Sequence, residues 1–177
     1  MKVPPEINQR AADIKLAVFD VDGVLTDGTL LFGDDGQEYK GFNVRDGHGL
    51  RMLQHYGVQI AIITGRDSKV VARRMAELGI VHVLQGHREK LPAFEQLLNR
   101  LIMTATDCAY VGDDVVDIPI LRRVRLAITV QDAHPLVKPY VHWITSCLGG
   151  RGAVREVCEL LLHAQDKLDE AMRHYLA

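Results

Sequence analysis

Ile14-Lys15-Leu16-Ala17-Val18-Phe19-Asp20-Val21-Asp22-Gly23-Val24-Leu25-Thr26-Asp27-Gly28 joins a short, mostly apolar run to an abrupt acidic turn. A run this short, rich in branched and aromatic residues, reads as a buried strand whose carboxyl end carries polar chemistry. The design recurs at 57–63, which ends at Thr64-Gly65, and at 107–111, which ends at Gly112-Asp113-Asp114. Weaker strands are expected at 81–84, 126–130 and 141–144. Helical periodicity lies between them at about 47–56, 67–78, 89–101 and 117–123, with a long amphipathic helix expected at about 151–174. Strands alternating with helices of this length indicate an α/β fold, a doubly wound parallel sheet with helices on both faces. Ligands of such sheets sit outside the carboxyl ends of the strands, where Asp20, Thr64 and Asp113 fall. One interruption, at 29–42 around Gly33-Asp34-Asp35-Gly36, reads as a small β-hairpin insert. With no repeat or linker, residues 1–177 are expected to form a single domain, with a Gly-rich segment and helix at about 149–174 closing it.

Composition narrows the function. The 177 residues are 47% hydrophobic and carry 21 Lys plus Arg against 23 Asp plus Glu, a formal net charge of −2. That balance supplies no field for binding a phosphate backbone, so no nucleic acid partner is expected. No apolar run approaches the roughly 18–20 residues that span a bilayer, and the first residues lack the apolar stretch of a signal peptide, so no membrane partner is expected either. Cys108, Cys147 and Cys158 are odd in number and form no C-x-x-C pair, which fits a reducing compartment and a cytoplasmic protein.

Several residues carry candidate chemistry, each beside a plainer reading. If the backbone stays extended through Val21, Asp20 and Asp22 point to one side, and the repulsion of two close carboxylates is relieved by a divalent cation. The plainer reading is a solvated acidic turn. An EF-hand loop is disfavoured because the twelfth position from Asp20 is Leu31 instead of Glu. Asp113, Asp114 and Asp117 form a second acidic cluster; they are either oxygen ligands for Mg²⁺ or caps of a helix start. Thr64 is either a phosphoryl-oxygen contact or an N-cap, and Lys90 either a charge-stabilising cation or a solvated surface charge. Eight His show no zinc-ligand spacing.

Taken in order, D-x-D-G-x-x-T at 20–26, Thr64, Lys90 and G-D-D-x-x-D at 112–117 resemble the four motifs of the haloacid dehalogenase superfamily, over about residues 14–130. The resemblance implies a Mg²⁺-dependent hydrolase. Asp20 is then the nucleophile that forms an aspartyl-phosphate, Asp22 the general acid and base, and Thr64 and Lys90 the stabilisers of transferring charge. Mg²⁺ is implied at Asp20, Asp113 and the main-chain carbonyl of Asp22, with Asp117 behind them orienting Lys90 or a metal-bound water. An acid at Asp22 favours phosphatase over dehalogenase chemistry, because an alkoxide leaving group needs a proton.

Neither gap between the motifs is long enough for a cap domain. Residues 22–28, 42–49, 63–66 and 149–156 further resemble the capless family of phosphatases acting on 3-deoxy-D-manno-octulosonate 8-phosphate, across nearly the whole chain. This resemblance implies a role in lipopolysaccharide precursor synthesis. It also implies a homotetramer in which the hairpin and the Gly-rich segment cover a neighbouring subunit's site. By motif, it marks Asp22, Asn43, Val44, Arg45, Asp46, Gly47, Arg51, Arg66, Arg74 and Lys90 as substrate-binding. The Arg members suit a ligand with both carboxylate and phosphate. Two plainer readings remain: Arg51 and Arg74 on exposed helix faces, and Asp46 as a helix cap. Two alternatives stand beside the activity, a phosphatase for a nine-carbon keto-sugar acid 9-phosphate and a catalytically silent scaffold relative.

Overall fold

Six strands run parallel in one sheet in the computed structural model, which describes residues 3–176. They are β1 (Leu16–Phe19), β4 (Gln59–Ile63), β5 (His82–Leu84), β6 (Cys108–Val111), β7 (Leu126–Thr129) and β8 (Trp143–Ile144). Their spatial order, β5-β4-β1-β6-β7-β8, puts β1 in the middle, paired with β4 through Phe19 and Ile62 and with β6 through Phe19 and Val111. The carboxyl ends of β1, β4 and β6 are therefore neighbours.

The period of two along β1 sends its side chains into two separate cores. Ala17 and Phe19 join Ile62 and Val111 beneath helices α1 (Pro5–Ala11), α2 (Val44–His55), α3 (Lys69–Glu77) and α6 (Ala153–Ala164). Leu16 and Val18 join Ile63 and Tyr110 beneath α4 (Lys90–Leu101) and α5 (Ile118–Leu121). A sheet covered on both faces is the doubly wound class the strand pattern implied. No helix among the described residues is long and apolar enough to cross a membrane.

Three boundaries differ from the sequence reading. The expected helix at 151–174 is two, α6 and α7 (Leu168–Leu176), broken where Asp166 adopts a left-handed conformation (φ 56°). The Asp166 and Lys167 N–H groups turn back to the carbonyls of His163 (3.1 Å) and Leu162 (2.8 Å), a Schellman end with Asp in the usual glycine position. Second, α2 starts three residues earlier than expected, capped by Asn43, whose side chain accepts from the Arg45 N–H at 2.8 Å. Asp46 is therefore not its cap. Third, α1 had no signal in the sequence reading; Ile7 and Ala11 hold it in the core.

The hairpin strands β2 (Leu31–Phe32) and β3 (Glu38–Tyr39) are short, pairing Leu31 with Tyr39 and Phe32 with Glu38. Leu31, Phe32 and Tyr39 are exposed. The Gly-rich segment lies on the loop after β1, with the Gly150 N–H donating to the Val24 carbonyl at 2.9 Å. A Cβ at Gly149 would sit 1.8 Å from the Gly23 carbonyl oxygen, so only glycine allows this approach.

Candidate active site

Asp20 follows β1 directly, and its N–H donates to the Val111 carbonyl at 2.9 Å, carrying the β1–β6 ladder one residue past the strand. One carboxylate oxygen accepts the Val21 N–H at 2.7 Å; the other meets the Lys90 ammonium at 2.7 Å. Lys90 opens α4 and is buried, and its head also meets Asp117 at 2.7 Å. A cation so enclosed requires both carboxylates. Burial works against its charge, but Asp20 and Asp117 outweigh it and hold the Lys90 pKa above its ordinary value.

Asp117 is fully buried and saturated. One oxygen accepts from Lys90 and from the Tyr110 hydroxyl (2.7 Å), the other from the N–H groups of Asp113 (3.1 Å) and Asp114 (3.2 Å). Asp113 is the opposite case: its Oδ1 is buried with no hydrogen-bond partner among the described residues. Carboxylate oxygens of Asp20, Asp113 and Asp117 lie within 4.8 Å of one another. Burial pushes the Asp20 carboxyl up to about 7, with Lys90 pulling it down and Asp117 raising it. Burial, then Asp20 and Asp117, push Asp113 up to about 8. This charge crowding and the orphaned oxygen fit a hard divalent cation; since the oxygens of Asp117 are taken, Asp20 and Asp113 are the carboxylates open to it.

The loop between Asp20 and Gly28 is held by Thr26, whose hydroxyl accepts from Gly23 N–H (3.4 Å) and Gly28 N–H (3.2 Å) and donates to the Val21 carbonyl (3.4 Å). At Gly23 (φ +88°) a Cβ would come 2.1 Å from the Asp113 carboxylate. Thr64, at the end of β4, is buried and does not cap α3, whose cap is Ser68. Its hydroxyl accepts only a long hydrogen bond from the Arg66 N–H (3.5 Å) and lines the cavity.

That cavity, about 890 Å³, is lined by Asp20, Asp22, Thr64, Arg66, Lys90 and Asp113. Asn43, Val44 and Arg45 line a neighbouring one of about 460 Å³ with Arg151, which pairs with Asp27 at 3.3 Å. The remaining residues marked by motif do not reach the cavity of their own chain. Asp46 is buried and accepts from the N–H groups of Gly152 (3.2 Å) and Arg155 (2.7 Å), capping α6 across space. Gly47 packs against the Arg74 guanidinium, and Arg51 donates to the Glu77 carbonyl at 2.6 Å while Arg74 meets the Glu77 carboxylate at 3.5 Å. The sequence reading assigned nothing to Tyr110, Thr26, Glu38 or Lys40, all of which touch the site's loops. Of these only Thr26 carried a signal, its place in D-x-D-G-x-x-T.

Comparison with known proteins agrees with this geometry. The family model for haloacid dehalogenase-like hydrolases matches residues 76–154. The 3-deoxy-D-manno-octulosonate 8-phosphate phosphatase of Salmonella typhimurium is 52% identical over 169 residues, covering 96% of this chain and 90% of the relative. The crystal structure of the Yersinia pestis phosphatase of the same name superposes with a TM-score of 0.93 at 49% identity, covering 94% of this chain and 90% of that one. The Moraxella catarrhalis phosphatase, solved with magnesium, phosphate and KDO, gives 0.94 at 44% identity, covering 96% and 98%. With about half its residues identical to such relatives over nearly its whole length, the chain belongs to the haloacid dehalogenase-like hydrolases, in the family of 3-deoxy-D-manno-octulosonate 8-phosphate phosphatases.

Proposed function

We propose that this chain, as one domain, hydrolyses 3-deoxy-D-manno-octulosonate 8-phosphate to the free sugar acid and phosphate, in the cytoplasm and for lipopolysaccharide precursors. The observation that carries the reading is the buried Asp20 carboxylate beside Lys90 and the orphaned oxygen of Asp113. Asp20, Asp113 and the Asp22 main-chain carbonyl would hold Mg²⁺, which when bound would supply the positive charge that lets an anionic nucleophile approach an anionic ester. Asp20 attacks phosphorus and takes the phosphoryl group as a mixed anhydride. Asp22 gives its proton to the departing alkoxide and later takes one from the water that hydrolyses the anhydride. Thr64 and Lys90 receive the charge that builds on the phosphoryl oxygens, and Asp117, tied down by four donors, keeps the Lys90 ammonium in place.

Arg66 lies in the same cavity and suits the substrate carboxylate. The other motif-marked residues, Asn43, Val44, Arg45, Asp46, Gly47, Arg51 and Arg74, complete the substrate site in a homotetramer, where a neighbour's surface supplies the walls this open cavity lacks. The exposed Leu31, Phe32 and Tyr39 support assembly through the hairpin. Light scattering at micromolar concentration is expected to give a tetramer; a monomer near 19.8 kDa contradicts it.

The test is phosphate release from eight- and nine-carbon keto-sugar acid phosphates, with EDTA and with Mg²⁺. Activity is expected only with Mg²⁺, and kcat/KM at least about tenfold higher for the eight-carbon ester, since distal pocket contacts set selectivity. Equal or better turnover of the nine-carbon ester overturns the substrate assignment.

Metal binding has a pH signature. With folded values near 7 and 8, Asp20 and Asp113 hold protons more tightly in the native state than in the unfolded chain. Their stabilising contribution is complete below about pH 4 and is lost as pH rises through about 8. A divalent cation replaces those protons. Mg²⁺ is therefore expected to raise the Tm more at about pH 8.5 than at about pH 5.5, where it competes with bound protons. Equal increments at the two pH values contradict the assignment.

A further inference from the structure

One buried cation has no part in the chemistry above. Lys40 follows β3 on the hairpin, and its side chain has 0% of its surface exposed. Its ammonium pairs with Asp22 Oδ1 and lies 3.5 Å from Glu38 Oε1. Glu38 in turn accepts from the Ser68 hydroxyl at the start of α3, and from Arg66 at 3.4 Å. Alternation along the return strand puts Glu38 and Lys40 on one face and exposed Tyr39 on the other. The polar face of the hairpin thus grips two loops of its own chain's site, one after β1 and one after β4.

An enclosed ammonium of this kind needs carboxylate partners, and the pairing restrains them in return. The Asp22 side chain makes no other hydrogen bond among the described residues, although it lines the cavity. Among the described residues, Lys40 is the one group whose hydrogen bond holds its rotamer. Holding one carboxylate oxygen leaves the second for the substrate.

We propose that Lys40 is a positioning residue that aims the Asp22 carboxylate at the leaving-group oxygen, so that the hairpin completes the acid of its own chain's site. The proposal rests on Asp22 being the general acid, and its test separates the two claims. A hairpin that only glues subunits together or walls the pocket would still lose activity on replacing Lys40 once Asp22 is removed, whereas a residue acting through Asp22 would not.

The experiment measures kcat/KM, which reports phosphoryl transfer to Asp20 and the departure of the leaving group, for the sugar acid 8-phosphate and for p-nitrophenyl phosphate. The aryl leaving group departs without a proton. Full-length Lys40→Met, Asp22→Asn and their double variant are compared; Lys40→Gln replaces Lys40→Met if the latter does not melt cooperatively. Lys40→Met is expected to lose about 10- to 100-fold on the sugar phosphate, less than the roughly 10²- to 10⁴-fold that a general acid supplies in full, and less than about threefold on the aryl ester. Adding it to Asp22→Asn is expected to cost nothing more on either substrate. No loss, equal losses on both substrates, or a further loss in the Asp22→Asn background overturns the role of Lys40. If Asp22→Asn itself shows no bias between leaving groups, the acid assignment falls, and the proposal falls with it.

Discussion

Asp20→Asn is expected to lower phosphate release by at least about 10⁴-fold while the protein stays folded. The amide has nearly the shape of the carboxylate but no charge, and it is too poor a nucleophile to attack a phosphate ester. The amide oxygen can still accept the Val21 N–H, whereas the amide nitrogen then faces the Lys90 ammonium, donor against donor. That clash costs about 1–3 kcal/mol, but removing a carboxylate whose burial pushes its pKa up to about 7 offsets part of it. Lys90 keeps Asp117 as a partner. A cooperative melt with no detectable turnover is therefore the expected pair of results; turnover within about tenfold of the parent protein, measured with a purified variant, contradicts a nucleophilic Asp20.

Lys90→Met strikes both function and fold. Its ammonium meets Asp20 and Asp117 at 2.7 Å each, and all three side chains are nearly enclosed. Removing one partner of a buried ionic cluster typically costs about 3–5 kcal/mol. For a chain of this size, that corresponds to a fall in Tm on the order of 10 °C in the metal-free protein. Asp117 retains three other donors, so the greater strain falls on Asp20. Protonation of Asp20 relieves it, so the destabilisation is expected to shrink toward low pH. Turnover is expected to fall about 10²- to 10³-fold, as when a charge-stabilising donor is lost. An unchanged Tm at neutral pH would show that Lys90 is not the counter-charge of this cluster.

The fold was legible because each central strand is a short, buried apolar run ending in a polar turn. Leu16 to Phe19, Ile60 to Ile63 and Cys108 to Val111 are buried on both sheet faces, so nothing but strand suits them. The places of Asp20, Thr64 and Asp113 were legible for the same reason, since chemistry collects where parallel strands stop, whereas Lys90, at the start of α4, stood out only through its place in the order of motifs. What stayed hidden depends on contacts between distant residues. The break at Asp166 carries no Gly or Pro, and the first turns of α1 and α2 are fixed by tertiary packing and by Asn43. Asp46 looks like a local cap in sequence, yet it binds the start of α6, over a hundred residues away. In sequence Lys40 reads like any surface lysine of a hairpin, and only the folded chain encloses it between Asp22 and Glu38.

The central claim is a covalent phosphoryl group on Asp20, and acid-quenched single turnover tests it most directly. Full-length protein in excess over the sugar acid 8-phosphate, with Mg²⁺, is stopped at early times, reduced with borohydride and digested. The account predicts that Asp20, alone among the aspartates, is converted to homoserine, that the signal rises and decays within one turnover, and that it persists longer in Asp22→Asn, where water lacks its base. Labelling at another aspartate, or none at times when half the phosphate has been released, would contradict it.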